Sequence, residues 1–213
     1  MASLVGLTGV SAALFLAGAA VNHSLHFGYL LWNLFLAWLP LLVTLMLLRS
    51  LRRRVWSSWL PLVLTLLWLI LLPNSFYMIS DFVHLQEIQR HSLLFDVVMF
   101  TSCIFTAALL GFSSLYMVHN ELRRRFALRT SSVLIGIIIL LCSFAIYLGR
   151  GLRWNSWDVL VNPAGILFDV SDRLIHPLHH GDMFTTTITF FVLLGSLYVV
   201  GWQLGEAVHQ TSV

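Results

Sequence analysis

No lysine occurs in this chain, and all twelve of its basic residues are arginine. Charged residues of both signs fill only 10% of the 213 positions, against roughly 25% in soluble domains. That scarcity excludes a soluble globular domain, whose surface needs ionic groups to stay hydrated. Cysteine is nearly absent as well. Cys103 and Cys142 each stand inside an apolar run, with no CxxC and no metal-type spacing. The redox compartment therefore stays open, and both thiols read as small buried hydrophobes. There is no HExxH helix, no P-loop, no dinucleotide fingerprint and no GxSxG elbow, so the reactions those motifs announce have no foothold. No internal repeat, low-complexity tract or cofactor signature is visible.

What fills the chain instead is hydrocarbon: 59% of it is hydrophobic. Several apolar runs approach or exceed the ~18 residues needed to cross a ~30 Å hydrocarbon core. Only helices and closed barrels satisfy their backbone groups in lipid. These runs are continuous rather than alternating, which excludes a barrel. The sequence therefore predicts an all-α fold, a polytopic transmembrane bundle with one domain over residues 1–213. Six spans are expected near 4–21, 28–48, 59–79, 95–117, 131–149 and 183–204. Span one resembles the apolar core of a signal peptide, but no basic residue precedes it, so it is read as a true span.

Orientation follows from arginine. Eight of the twelve sit in two short connections, at Arg49, Arg52, Arg53, Arg54, Arg123, Arg124, Arg125 and Arg129. The positive-inside rule places both connections, and with them both termini, in the cytoplasm. The expected lipid partner is a bilayer with anionic headgroups, which accounts for the arginine runs better than nucleic acid does. On the opposite side fall Asp81, Glu87, Asp96, Asp158, Asp169, Asp172 and Asp182, which are seven of the nine acids, and seven of the nine histidines. Acids contribute little to orientation, so this concentration reflects either longer outer loops or a site facing that side.

Four stretches carry candidate chemistry. In "LPNSFYMISDFVHL", a helix continuing through His84 would put Asn74, Tyr77, Asp81 and His84 on one stripe, with Pro73 free to kink the span. In "YLGRGLRWNSWDVLVNP", a continuing helix would align Arg150, Arg153 and Trp157, and separately Asn155, Asp158 and Asn162. Arginine forks suit carboxylate or phosphate; the ordinary reading is an ion pair tying helix ends. In "FDVSDRLIHPLHHGD", the outer loop 150–182 is expected to hold a short amphipathic interfacial helix carrying Asp169, Asp172, Arg173 and His176. His176, His179, His180 and Asp182 follow within seven residues, a weak zinc-like set that Pro177 and Gly181 keep from regular helical spacing; no metal site is assigned. In "WNLFLAWLP", Asn33 sits inside a span, where polar side chains face the bundle interior, and it enters from the same side as Asn74.

Three of these stretches together resemble a bacterial integral-membrane family catalogued as domain of unknown function 1361. The resemblance rests on Trp32, Asn33, Ala37 and Pro40; on Pro73, Asn74, Tyr77, Asp81 and His84; and on Gly149, Arg150, Arg153, Asn155, Trp157 and Asp158. It covers roughly residues 25–205 and implies a multi-pass protein of the bacterial plasma membrane. It implies no activity, and the His176–Asp182 cluster lies outside its pattern.

The motif residues converge on the outer ends of spans two, three and five. Asp81, His84 and Asp158 are the candidate catalytic groups; Asn33, Asn74, Arg150, Arg153 and Asn155 are the candidate substrate-binding groups. They are expected to line one polar cavity opening to the extracytoplasmic side. Three functions fit it: an enzyme on a lipid-linked or anionic envelope substrate, a small transporter or ligand-binding protein, and a non-catalytic scaffold. A homo-oligomer would supply the bulk that a 213-residue transporter is short of. The residues name no cofactor and no particular small-molecule or lipid ligand.

Overall fold

The structure, a computed structural model, describes residues 1–22, 27–87, 93–176 and 179–211. Among the described residues every regular element is helical: α1 (Ala2–Asn22), α2 (Tyr29–Leu51), α3 (Trp59–Leu71), α4 (Pro73–Tyr77), a 3-10 helix (Met78–Glu87), α5 (Leu93–Arg123), α6 (Leu128–Gly151), α7 (Asp158–Val161), α8 (Pro163–Ile175) and α9 (Gly181–Thr211). Among the described residues six segments are long and apolar enough to cross a membrane, and they coincide with the six expected spans. The expected spans of 18–23 residues understate the helices, which continue past the apolar runs; α5 and α9 each reach 31 residues.

The chain divides into two compact units, Met1–Val118 and His119–Val213, with the boundary inside α5. In the first, burial on α2 recurs at Leu30, Leu34, Ala37, Leu41, Thr44, Leu47 and Leu51. Steps of three and four residues keep one seam facing its neighbours along the whole helix. That seam packs with Phe15 of α1, Met78, and Phe100, Cys103, Ile104, Ala107 and Leu110 of α5.

Hydroxyls cross-link this core. Ser11 of α1 meets Ser102 at 2.8 Å and Thr106 at 2.9 Å. Ser114 of α5 meets Thr44 at 2.8 Å and accepts from the Trp68 indole at 2.7 Å. Such interhelical bonds contribute roughly 0.6 kcal/mol each in lipid, chiefly by fixing register. Cys103 and Cys142 are both buried and unpaired, as expected.

Pro73 breaks span three. It has no N–H to donate, and α3 ends at Leu71 with the Leu72 N–H closing on Trp68 at 2.8 Å. The proline then opens α4, a position its fixed φ favours. Ser75 ties α4 to α2 by donating to the Ala37 carbonyl at 3.1 Å. Gly111 of α5 lets the helices approach here: a Cβ at this position would lie 2.7 Å from the Ser75 Cβ and 2.9 Å from the Phe76 ring. Because Ser75 is anchored and Phe76 fully buried, neither can yield. Gly111→Ala is therefore expected to cost about 1–3 kcal/mol by overpacking; denaturant unfolding in detergent measures it, and an unchanged midpoint would refute the close approach.

In the second unit, α6 and α9 pack along each other. Ser131, Ile135, Ile139, Cys142, Ser143, Ile146 and Tyr147 form the buried stripe of α6; Leu194 and Tyr198 are buried on α9.

Candidate functional site

The first unit assembles its polar groups where α2 begins and α4 ends. Beyond Tyr77 the backbone tightens from α to 3-10. The expected α-helical stripe through His84 is corrected accordingly. In the tighter helix, with three residues per turn, side chains three apart eclipse, so Asp81 and His84 share a face one turn apart. A 3-10 run of ten residues is long, since most are three or four, and long runs mark strained or functional segments.

Asp81 is 1% exposed. The Asn33 amide donates to its Oδ2 at 3.1 Å, from α2. One turn of α2 before Asn33, Tyr29 sets its ring against His84, with centroids 5.3 Å apart. Asn74 and Tyr77 lie half-buried on α4, one turn apart. Asp96 is buried in the first turn of α5, where the helix dipole favours a carboxylate. A carboxylate sealed among apolar helices, gripped by an amide and followed by an imidazole, can accept a proton or orient a polar ligand.

The second unit holds the arginine motif. The expected helical continuation past Gly149 is also corrected. α6 stops at Gly151, and Arg153 turns into the left-handed region with φ 61°. The Trp154 N–H then folds back onto the Leu148 carbonyl at 3.2 Å. Arg150 stays on the helix, half-buried, while Arg153 stands exposed on the turn, so no stripe joins them. Asn155 and Asp158 do meet. The Asp158 carboxylate accepts from the Asn155 N–H at 2.7 Å and from its side-chain amide at 3.3 Å, closing the turn that opens α7.

A left-handed conformation costs an arginine about 1 kcal/mol that glycine escapes. Arg153→Gly is thus expected to raise the unfolding free energy by about that amount while weakening in vivo function. Loss of both stability and function would mean that the arginine is structural.

Other groups in this unit carried no assigned role in the sequence. Arg173 of α8 is 8% exposed. Its Nε donates to the Tyr147 hydroxyl at 3.1 Å, and its Nη1 donates to the Asp169 carbonyl at 2.9 Å and to Asp169 Oδ1 at 3.4 Å. The Trp154 indole donates to Asp169 Oδ2 at 2.7 Å. Burial works against the Arg173 charge, yet the Tyr147 hydroxyl and the Asp169 and Asp172 carboxylates outweigh it and hold its pKa above arginine's ordinary value. The i, i+4 spacing of Asp169 and Arg173 was the available signal; Tyr147 and Trp154 had none.

His119, near the end of α5, hydrogen-bonds the Tyr198 hydroxyl through Nδ1 at 2.8 Å and lies against Trp202 at 4.1 Å. Arg123 lies over the Trp202 ring, 5.0 Å from its centroid, and pairs with Glu206 at 2.6 Å. Here the signal was legible afterwards: Tyr198, Trp202 and Glu206 recur every four residues.

The histidine cluster divides between two sets of partners. His180 pairs with Asp172 at 3.0 Å, and His176 and His179 stack at 6.0 Å. Pro177 and Leu178 lie outside the described residues. Among the described residues no three His, Cys, Asp or Glu side chains come together as a metal set.

Six membrane-length apolar segments among the described residues, one of them ending on the buried, hydrogen-bonded Asp81, define a polytopic all-α membrane protein. The chain belongs to the family described as "Protein of unknown function (DUF1361)", whose model matches residues 32–197. The match encloses all three motif stretches, so the resemblance read from them holds. No curated protein and no solved structure matches the chain.

Proposed function

We propose that this protein acts from the extracytoplasmic side on a lipid-linked or anionic envelope substrate, as a multi-pass protein of the bacterial plasma membrane with both termini in the cytoplasm. The observation that carries the reading is Asp81: a carboxylate 1% exposed, at the end of an apolar span, accepting the Asn33 amide. Burying such a group is expensive in lipid and is sustained where it does work. Asp81 is the proton acceptor, with His84 one turn away to share or relay the proton. Asn33 and Asn74 orient the substrate's polar groups. Asp158 is the weaker acid–base candidate, since its carboxylate already closes its own turn with Asn155.

The anionic character of the substrate is supported by Arg150 and Arg153 in the second unit, whose forks match phosphate or carboxylate; Asn155 flanks Arg153 there as a hydrogen-bonding group. The orientation is supported by the eight arginines of residues 49–54 and 123–129.

Lipid and metabolite profiles of a deletion strain test this. An anionic or lipid-linked species is expected to accumulate, and the wild-type gene to clear it. Asp81→Asn and Arg153→Ala are expected to insert and fold without clearing it. Full rescue by both folded variants ends the proposal.

A further inference from the structure

The sequence places the charges of α8 on one face of an amphipathic helix, where water would be their natural neighbour. The structure turns that helix over. Arg173 is 8% exposed and Asp169 half-buried, held inward by Tyr147 and Trp154. Leu167, Phe168 and Ile175 point outward with exposures of 65%, 74% and 70%, and Leu160 and Val161 of α7 add 82% and 77%. On α8, Ala164, Leu167, Phe168, Ser171 and Ile175 recur at steps of three and four, so the exposed face is one continuous stripe. In water this arrangement is upside down, because hydration would favour the charges outside and the apolar stripe inside.

We propose that α7 and α8 are inserted into the bilayer, with this stripe among the acyl chains just below the headgroups and the Arg173 network as their dry polar underside. Three observations select lipid over a protein partner. The patch lies in the chain between α6 and α9, membrane-length helices that themselves expose large apolar residues. Ser171 is the only hydrogen-bonding side chain on the stripe, whereas protein interfaces carry about one hydrogen bond per 100–200 Å². Leu167, Phe168 and Ile175, three of its five residues, are large and 65–74% exposed, whereas helices that associate in membranes meet through small ones. Trp157, 46% exposed where α7 begins, is the residue type that marks the headgroup level. Together α7 and α8 form a lipid-facing wedge, and the proposal stands whatever the substrate.

Variants Leu160→Cys and Phe168→Cys, each adding one cysteine and labelled with bimane, test it in vesicles of phosphatidylethanolamine and phosphatidylglycerol. The vesicles also contain phosphatidylcholine carrying a doxyl quencher high on its acyl chain. Ser57→Cys, in the exposed 52–58 connection, is the aqueous reference; the two native cysteines are buried, and the parent's labelling is subtracted. Quenching by the doxyl lipid is expected to be about threefold or more greater at Leu160 and Phe168 than at Ser57. Quenching by aqueous iodide instead would overturn the proposal, since the stripe would then face water. Shielding from both quenchers would overturn it in favour of a second copy or another protein. If Phe168→Cys fails to insert, Leu167→Cys is read in its place.

Discussion

Asp81→Asn is expected to leave the protein folded and to reduce its function by about 100-fold or more, the usual contribution of a positioned acid or base. The two side chains have the same shape. An asparagine carboxamide oxygen can take the place of Asp81 Oδ2 and still accept the Asn33 amide across 3.1 Å. What disappears is the negative charge and the ability to bind a proton. Asp81→Leu separates the two roles further. It leaves the half-buried Asn33 amide without this acceptor, which costs about 1–3 kcal/mol. The proposal therefore predicts an ordering: wild type and Asp81→Asn alike in detergent unfolding, Asp81→Leu less stable, and both variants deficient in clearing the accumulated species. Full activity in Asp81→Asn would assign the residue to architecture alone.

Arg173→Met is expected to be the most destabilising of the substitutions considered, by about 3–5 kcal/mol. The guanidinium bridges three groups at once: the Tyr147 hydroxyl, the Asp169 carbonyl and the Asp169 carboxylate. Methionine restores the bulk but removes the cation, so Asp169 keeps its charge beside the Trp154 indole with no counter-ion from Arg173. A half-dismantled buried network is worse than none. Arg173→Lys retains charge but loses the planar fork, and should fall between the two. Paired replacement, Arg173→Met with Asp169→Asn, should recover part of the loss, because the stranded charge is gone; an additive double-mutant cycle would show that the pair is not coupled.

The unequal legibility of this chain has physical grounds. The six spans could be read because membrane insertion sums side-chain transfer free energies along a segment, and that sum is written in the residues themselves. Pro73 could be read as a break for the same kind of reason, since a missing N–H is a local fact. Asn33 and Asp81 could be named as polar groups that must find partners, yet their pairing joins residues 48 positions apart and depends on how α2 meets the chain beyond α4.

Composition and periodicity, then, dictated that this protein is a helical membrane bundle of six spans carrying acids, amides and arginines at particular depths, because lipid penalises each exposed polar group where it stands. Packing alone dictated that Asp81 sits one 3-10 turn from His84, that Arg153 turns left-handed, that His119 meets Trp202, and that α8 turns Arg173 inward and presents Leu167, Phe168 and Ile175. Those outcomes depend on which surfaces face one another across the fold, and a one-dimensional pattern carries no record of its neighbours.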